Sequence, residues 1–488
     1  MQSPAAVSWY KPAQRRTILH SSVSFTQQSA LELLRLLRAK KLSSLELAEE
    51  HIRHIERWNP ALNALVDFDP DRVRRQARTV DGASGSLGSL GGLPVTVKSS
   101  ISTAGHRCEI GSLVNRGNIP NRDATVVARL RKAGAVILGT TNCPEYLMAY
   151  VTENDLHGRT NNPWNLDYTP GGSSGGESAA IAAGMSAAGL GSDSGGSVRV
   201  PAHFTGICSL KPTPGRIPGD GHLPPCIGPF SSLGAIGPMA RTIDDVTLLF
   251  HALSGHDPVD PVSPPVALQT PHFDDVKRRA VGYFEDDGLV PVTPETRQAV
   301  GDAAEALREA GFSVAPFRPS SLEQVRKLWE LFFVRCGAMF EEPLVRGHEE
   351  KLSPAFRDFL ARAHRAGPLT ANEVLTAWAE ADIVRGKLLQ QMQEFPLLLC
   401  PVASVPAFRH DQRSWTIDGR EVEYLDAMRY AQWWNLLAAP AAVVRVGRSP
   451  EGLPIGVQMV GRPFEDEVVL QAAGVIDKAF GYVPPPMV

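Results

Sequence analysis

The chain has 488 residues, of which 43% are hydrophobic and 21% are charged, and its formal net charge is -3. A chain of this length and composition can bury a sizeable core, as a globular protein does. The charge balance shows neither the basic excess of a nucleic-acid-binding protein nor an acidic tail. We therefore expect no nucleic-acid partner.

The six cysteines are widely spaced and form no C-x-x-C pair, which argues against a disulfide framework and against a zinc site. Reduced thiols are typical of the cytoplasm, so we expect a cytoplasmic protein. The first 25 residues contain no continuous apolar segment of the kind found in signal peptides. The small-apolar stretch at 178–190 is interrupted by glycines, so it predicts a packed helix and no membrane contact.

The first predicted elements are two helices near the N-terminus. The S-x-x-E patterns at 29–32 and 43–46 have the spacing of capping boxes, in which the first and last residues satisfy each other's backbone N–H groups. They predict one helix to about Ala39 and another to about Trp58, the second ended by Pro60.

From residue 93 the pattern changes to short apolar strands that alternate with helices. Residues 93–97 and 135–138 predict buried strands, and residues 124–133 predict a helix between them. Residues 177–185 predict a helix of small side chains, which suits close packing against a sheet. This alternation is typical of α/β layers.

The second half of the chain begins with a connection rich in Pro and Asp at 255–274. Further predictions are strands at 280–284, 397–399 and 441–446, and helices at 294–310 and across most of 321–395. Because strand signals resume after the last helical block, we expect one large domain with a helical cover.

The segment TPGGSSGGES at 169–178 has the composition of a flexible linker. Its glycines at 171 and 176 also have the spacing of a phosphate-binding loop. However, Glu177 occupies the position that requires lysine, and a carboxylate there would repel phosphate. Composition and spacing therefore do not predict a nucleotide site.

A second glycine-rich segment, GSDSGGSVR at 191–199, predicts a nucleophile. Two glycines before Ser197 permit a tight turn with unobstructed N–H groups, which an oxyanion needs. A serine nucleophile also needs a base. His203 is the nearest histidine, and Lys98 follows the predicted strand at 93–97, where burial could deprotonate it. The residues alone leave both bases open.

Together these segments resemble the amidase signature family. The matching motifs are GLPVTVK at 92–98, GTTNCPE at 139–145, NPWN at 162–165, TPGGSSGG at 169–176, GSDSGGSVR at 191–199, LKPT at 210–213, GPMAR at 237–241, GLPIGVQ at 452–458 and GRP at 461–463. The resemblance implies a single α/β/α domain around a large mixed sheet over residues 25–488. Residues 1–24 would be an extension, and the helical cover would be inserted at about 321–395.

The resemblance further implies an amide hydrolase with a Ser–cis-Ser–Lys triad that needs no metal or organic cofactor. Ser197 would be the nucleophile, Ser173 the relay and Lys98 the base. The oxyanion hole would come from the backbone N–H groups of Ser194, Gly195 and Gly196. We expect supporting roles for Gly172, Ser174, Asp193 and Arg199, the last two as an ion pair.

The substrate is expected to be a small amide with a hydrophobic or aryl group. In the family, the segment after T-N-x-P-E lines part of the acyl channel, and here it is apolar and aromatic. An aromatic cluster at 430–437 would contribute further. The residues predicted to bind substrate are Tyr146, Leu147, Met148, Tyr150 and Trp434.

Several alternatives use the same triad. They are a carbamate (urethane) hydrolase, an ester hydrolase, and the glutamine-hydrolysing A subunit of a tRNA-dependent amidotransferase. A Ser–His hydrolase through His203 and an inactive binding protein on this fold are less favoured, because all three triad residues are present. Many family members dimerise, so a homodimer is also open.

Overall fold

Fifteen short strands define the architecture of the part of the chain that the computed structural model describes, residues 24–84 and 88–486. They are β1 (Leu65–Phe68), β2 (Pro94–Lys98), β3 (Val136–Thr141), β4 (Glu153–Asn154), β5 (Gly158–Arg159), β6 (Ala188–Asp193), β7 (Cys208–Lys211), β8 (Ala235–Ala240), β9 (Val281–Tyr283), β10 (Val314–Pro316), β11 (Leu397–Pro401), β12 (Ser414–Ile417), β13 (Arg420–Glu423), β14 (Ala441–Arg448) and β15 (Pro454–Gly461). The predicted extension at 1–24 lies outside the described residues except for Ser24.

Eleven of these strands form one mixed sheet in the order β1-β3-β2-β6-β8-β7-β14-β15-β11-β9-β10. Strand β2 runs parallel to both β3 and β6, whereas β8, β7 and β14 continue the sheet antiparallel. The expected single α/β domain with a large mixed sheet is confirmed. The remaining strands pair as two short hairpins, β4–β5 and β12–β13.

Helices cover both faces of the sheet. They are α1 (Ala30–Arg38), α2 (Ser44–Leu62), α3 (Pro70–Asp81), α4 (Thr125–Lys132), α5 (Gly175–Ala182), α6 (Arg199–Thr205), α7 (Ile243–Leu253), α8 (Phe273–Lys277), α9 (Pro294–Glu309), α10 (Leu322–Glu330), α11 (Gly337–Val345), α12 (Pro354–His364), α13 (Ala371–Gln391), α14 (Tyr424–Ala427), α15 (Arg429–Leu436) and α16 (Asp466–Phe480). Among the described residues, no helix combines the length and the apolarity needed to cross a membrane.

The alternation of side chains along β2 decides which residues face the functional site. Val95 and Val97 are fully buried and pack on the face that is also covered by α1, α4 and α7. Because successive strand residues point to opposite faces, Thr96 and Lys98 point to the other face, where α5 lies. Glu177 of α5 accepts a hydrogen bond from Thr96 there.

The predicted N-terminal helices are confirmed, with two differences in their ends. Ser29 caps α1 by accepting the Glu32 N–H, but the Glu32 carboxylate pairs with Arg35, so that capping box is only half formed. The box at 43–46 is complete. The prediction that Pro60 ends α2 is wrong, because Pro60 lies inside the helix. The helix runs to Leu62 and is terminated by Asn63, which caps it in a left-handed conformation (φ 50).

The predicted helical block at 321–395 forms α10 to α13, with a π-helical turn at Leu331–Cys336 between α10 and α11. This cover packs on α15, which carries the aromatic cluster at 430–437. Trp329 and Phe333 of the cover stack with ring centroids 4.6 Å apart. The insertion therefore brings aromatic side chains to the edge of the sheet where β2 and β6 end.

Candidate active site

Lys98 is the last residue of β2, and its side chain is completely buried. Its Nζ lies 2.7 Å from Ser173 Oγ and 3.1 Å from Ser192 Oγ. Within residues 24–84 and 88–486 it forms no ion pair. Burial disfavours the ammonium form more than the nearby Asp193 and Glu177 carboxylates favour it, and it lowers the pKa of Lys98 to about 8. The neutral amine, which can accept a proton, is therefore accessible near neutral pH.

The Gly–Ser loop at 169–176 is a packed structural element rather than a flexible linker. A cis peptide joins Gly172 to Ser173. A Cβ added at Gly172 would lie 2.6 Å from the Ala149 carbonyl oxygen, so no larger residue fits. The Ser174 N–H donates to the Ser197 carbonyl at 3.1 Å, which joins this loop to the second glycine-rich segment. Ser173 is thereby held between Lys98 and that segment.

The segment that carries Ser197 is organised around the buried carboxylate of Asp193. This carboxylate accepts the N–H groups of Gly196 at 2.8 Å and Val198 at 3.1 Å. Arg199 pairs with both of its oxygens at 2.9 and 3.0 Å. Burial alone would raise the pKa of Asp193, but the Arg199 guanidinium and the Asn435 amide hold it well below its usual value. The pair positions the turn and leaves Ser197 half-buried at its tip.

Three carbonyl groups of this turn accept hydrogen bonds, and this orients the N–H groups. Trp329 Nε1 donates to the Ser194 carbonyl at 2.9 Å, and the Tyr150 hydroxyl donates to the Gly195 carbonyl at 2.7 Å. The Gly196 carbonyl accepts the Val200 N–H at 2.7 Å. In a trans peptide, the C=O and the following N–H point in opposite directions. In the described part of the chain, the N–H groups of Ser194, Gly195 and Ser197 have no acceptor. The Gly196 N–H, which was expected in the oxyanion hole, is instead occupied by Asp193.

Two cavities meet at Ser197. A narrow one of about 20 Å³ is lined by both Ser173 and Ser197, together with Ser192 and Ser194. A larger one of about 490 Å³ extends from Ser197 and Gly195 toward the helical cover. The two serines of the predicted triad thus face one space, with the Lys98 amine in contact with Ser173.

The structure places only part of the predicted substrate-binding set at these cavities. Leu147, Met148 and Tyr150 line the larger cavity. Tyr146 does not line either cavity: its ring stacks on Phe356 with centroids 4.8 Å apart. Trp434 also lies away from both, fully buried in the core beneath the cover. Core packing therefore accounts for Tyr146 and Trp434.

Sequence reasoning missed several residues that shape the site. Trp329, Phe333 and Phe359 of the helical cover form aromatic walls of the larger cavity. The prediction of a cover at 321–395 placed these rings on helices but gave no sign of which helix face meets Ser197. Ser192 was also missed as a second hydrogen-bond partner of Lys98. The Ser174 hydroxyl bonds the backbone of the other glycine-rich segment: it accepts the Ser192 N–H and donates to the Ser192 carbonyl, both at 3.4 Å.

His203, the other candidate base, is fully buried with both ring nitrogens in use. Its Nε2 donates to the Val405 carbonyl at 3.0 Å, and its Nδ1 accepts the Gly456 N–H at 2.7 Å. Burial lowers the pKa of His203 to about 4. These bonds join α6 to the loop after β11 and to β15, and His203 lines neither cavity at Ser197.

The sequence model of the Amidase family matches residues 46–470. The chain belongs to the amidase signature family. It is 33% identical over 469 residues to the indoleacetamide hydrolase of Bradyrhizobium diazoefficiens, covering 93% of this chain and 87% of that protein. It is also 33% identical over 474 residues to the A subunit of the glutamyl-tRNA(Gln) amidotransferase of Geobacter metallireducens, covering 91% of this chain and 95% of that protein.

Solved structures of amidase signature enzymes share the fold over nearly the full length of the chain. A bacterial aryl acylamidase superposes with a TM-score of 0.83 at 26% identity, covering 93% of this chain and 96% of its own. A 6-aminohexanoate cyclic dimer hydrolase in complex with its substrate also gives a TM-score of 0.83, at 27% identity, covering 95% of this chain and 99% of its own. The protein is therefore an amidase signature enzyme that acts on C–N bonds.

Proposed function

We propose that this amidase signature enzyme cleaves the C–N bond of small hydrophobic or aryl amides through a serine acyl-enzyme, with Ser197 as nucleophile, Ser173 as relay and Lys98 as base. One observation carries this proposal. The buried Lys98 amine lies 2.7 Å from the hydroxyl of Ser173, and Ser173 lines the same narrow cavity as Ser197. Such a chain of groups can move a proton between the nucleophile and a neutral amine.

Each step of the reaction uses groups that the site provides. Neutral Lys98 takes the Ser173 proton as Ser173 takes the proton of Ser197, and Ser197 Oγ attacks the carbonyl carbon. The N–H groups of Ser194, Gly195 and Ser197, which have no acceptor among the described residues, can bind the resulting oxyanion. The proton then returns through Ser173 to the nitrogen, the C–N bond breaks and the amine departs. Water attacks the acyl-enzyme by the same relay, and the carboxylic acid leaves.

The cavity of about 490 Å³ supports a hydrophobic or aryl acyl group. Its walls near Ser197 include Tyr150, Trp329 and Phe333, whose rings favour apolar and aromatic ligands. The names of the aryl acylamidase and of the indoleacetamide hydrolase agree with a ring-bearing substrate. The same cavity is also lined by charged side chains, namely Arg326, Glu330, Asp358, Arg362, Arg365 and Arg413. The substrate panel therefore includes glutamine, to separate the aryl amide proposal from the glutaminase alternative.

A substrate panel tests the proposal. Purified protein is assayed with acyl anilides that carry short, long and aryl acyl groups, with an aryl carbamate, with a phenyl ester and with free glutamine. We expect the highest kcat/KM among the anilides for aryl or long acyl groups. Hydrolysis of glutamine alone, or of nothing until another protein is added, would contradict the proposal and favour the amidotransferase alternative.

The pH dependence of anilide hydrolysis should report the ionisation of Lys98. Because the reaction needs the neutral amine, kcat/KM should rise with pH through about 8 and level off above it. Below that value the rate should fall about tenfold per pH unit. Burial also raises the pKa of Glu177 to about 8, so the profile is measured for Glu177→Gln as a control. A rise that is retained in this variant assigns the ionisation to Lys98, whereas a flat wild-type profile would contradict its role as base.

A further inference from the structure

His222 lies in the connection between β7 and β8 and reaches the narrow cavity at Ser197. It forms an isolated bridge with Ile101, three residues after Lys98. Its side chain is 7% exposed and lines the narrow cavity that also contains Ser173 and Ser197. His222 also lines a cavity of about 370 Å³, so it borders both this cavity and the narrow one.

The hydrogen bonds of His222 define its tautomer. Its Nδ1 lies 2.9 Å from the Pro224 carbonyl oxygen, which can only accept, so Nδ1 carries the proton. Burial lowers the pKa of His222 to about 4, and the ring is therefore neutral at physiological pH. Its Nε2 consequently presents a lone pair, which can accept one hydrogen bond.

That lone pair has no donor within the described residues, and Nε2 is shielded from solvent. A buried acceptor without a partner is unfavourable, and most such groups in proteins are satisfied. His51 and His106 also have an unpartnered Nε2. His222 differs from them because, among the histidines that the structure describes, it alone lines the cavity shared by Ser173 and Ser197. Its unpartnered acceptor therefore belongs to a residue that lines the space beside Ser173 and Ser197.

The chemistry of C–N cleavage specifies which donor fits. When the tetrahedral intermediate collapses, the nitrogen lone pair must face Ser173 to receive the proton. The remaining N–H of a primary or secondary amide then points elsewhere and needs an acceptor. Ser192 and Ser194 are the other polar residues that line both the narrow cavity and the cavity of about 370 Å³. Ser192 is already bonded to Lys98.

We propose that His222 Nε2 accepts a hydrogen bond from the N–H of the scissile amide, so that the enzyme selects substrates with at least one hydrogen on the scissile nitrogen. This inference rests on the proposed amide hydrolysis by Ser197. It makes His222 a residue that touches the substrate and orients the leaving nitrogen toward Ser173. Esters and fully substituted amides have no such hydrogen and gain nothing from His222.

Two substitutions distinguish the roles of the two ring nitrogens of His222. In His222→Asn the side-chain amide can still donate to the Pro224 carbonyl but has no acceptor at the position of Nε2. In His222→Gln the longer side chain restores an acceptor near that position. His203→Asn is a matched control, because His203 is also buried but lies outside the cavities at Ser197.

The readout is kcat/KM for an anilide and for the phenyl ester of the same acid. We expect His222→Asn to lower the anilide value about tenfold, the effect of one lost hydrogen bond, and to leave the ester value within about twofold. His222→Gln should recover part of the anilide activity. His203→Asn should leave the ratio of the two values unchanged, whatever it does to the yield of folded protein.

Equal losses for anilide and ester in His222→Asn would overturn the inference, because they indicate a structural role or a role in water attack. If neither variant folds, the wild type itself provides a test. The ratio of the rate for the anilide to the rate for its N-methyl derivative should be larger with the enzyme than with hydroxide in solution. An equal ratio would overturn the inference. Failure of the proposed function is distinct, since the wild type would then cleave no anilide.

Discussion

Substitution of Ser197 with alanine is expected to lower kcat for anilide hydrolysis by about 10⁴- to 10⁶-fold, since the covalent route then has no nucleophile. The fold should survive the change. Ser197 is half-buried at the tip of its turn, and the turn is held by backbone groups and by Asp193, not by the Ser197 hydroxyl. The thermal unfolding midpoint should therefore stay close to that of the wild type.

Trapping the acyl-enzyme identifies which residue is acylated. A slowly deacylating aryl ester should add the mass of its acyl group to the wild type, and peptide mapping should locate that mass on Ser197. The alanine variant should gain no mass. Ser414→Ala is the matched control, because Ser414 is exposed at the start of β12, and it should keep full activity. Acylation of another residue, or a Ser197→Ala variant with more than about a tenth of wild-type activity, would contradict the nucleophile assignment.

Substitution of Lys98 with methionine is expected to lower kcat/KM for the anilide by about 10³- to 10⁴-fold. Methionine fills a similar volume but cannot accept the proton passed on by Ser173. The loss should be smaller for the matched phenyl ester, because phenoxide departs without prior protonation whereas an amine does not. The ratio of anilide to ester activity should therefore fall together with the overall rate.

The chain offers a matched control for this change in Lys211→Met. Lys211 also ends a strand, β7, is fully buried, and has its pKa lowered to about 7 by burial. Its Nζ donates to the Pro212 carbonyl and contacts no group of the triad. We expect the folded Lys211 variant to stay within about threefold of wild type. A Lys98→Met enzyme with undiminished activity would instead point to another base, such as a histidine.

Local features of the site follow from short-range rules and could be predicted from the sequence. The complete capping box at 43–46 and the helices and strands between residues 93 and 138 need only neighbouring residues. The position of Lys98 at the end of a buried strand was equally predictable, because strand alternation and apolar runs are local. The two glycine-rich segments could also be recognised as non-linker elements from the order of motifs around them.

Contacts between residues far apart in the chain determine the features of the site that could not be predicted from the sequence. The Ser194 carbonyl is held by Trp329, 135 positions away, and Arg199 binds both Asn435 and Gln458. Such contacts depend on which helix face meets the sheet, and no local pattern contains that information. The same reason explains why Tyr150 lines the cavity whereas Tyr146, four residues earlier, packs on Phe356.

The sequence by itself determined the amidase signature family and the chemical groups that the site contains, because these follow from contiguous motifs and their order. Tertiary structure decided how those groups are placed and which partners they have. It buried Lys98 with no ion pair among the described residues, occupied the Gly196 N–H with Asp193 and satisfied both nitrogens of His203. Burial and hydrogen-bond partnership are properties of the packed chain, so they become known only when distant segments meet.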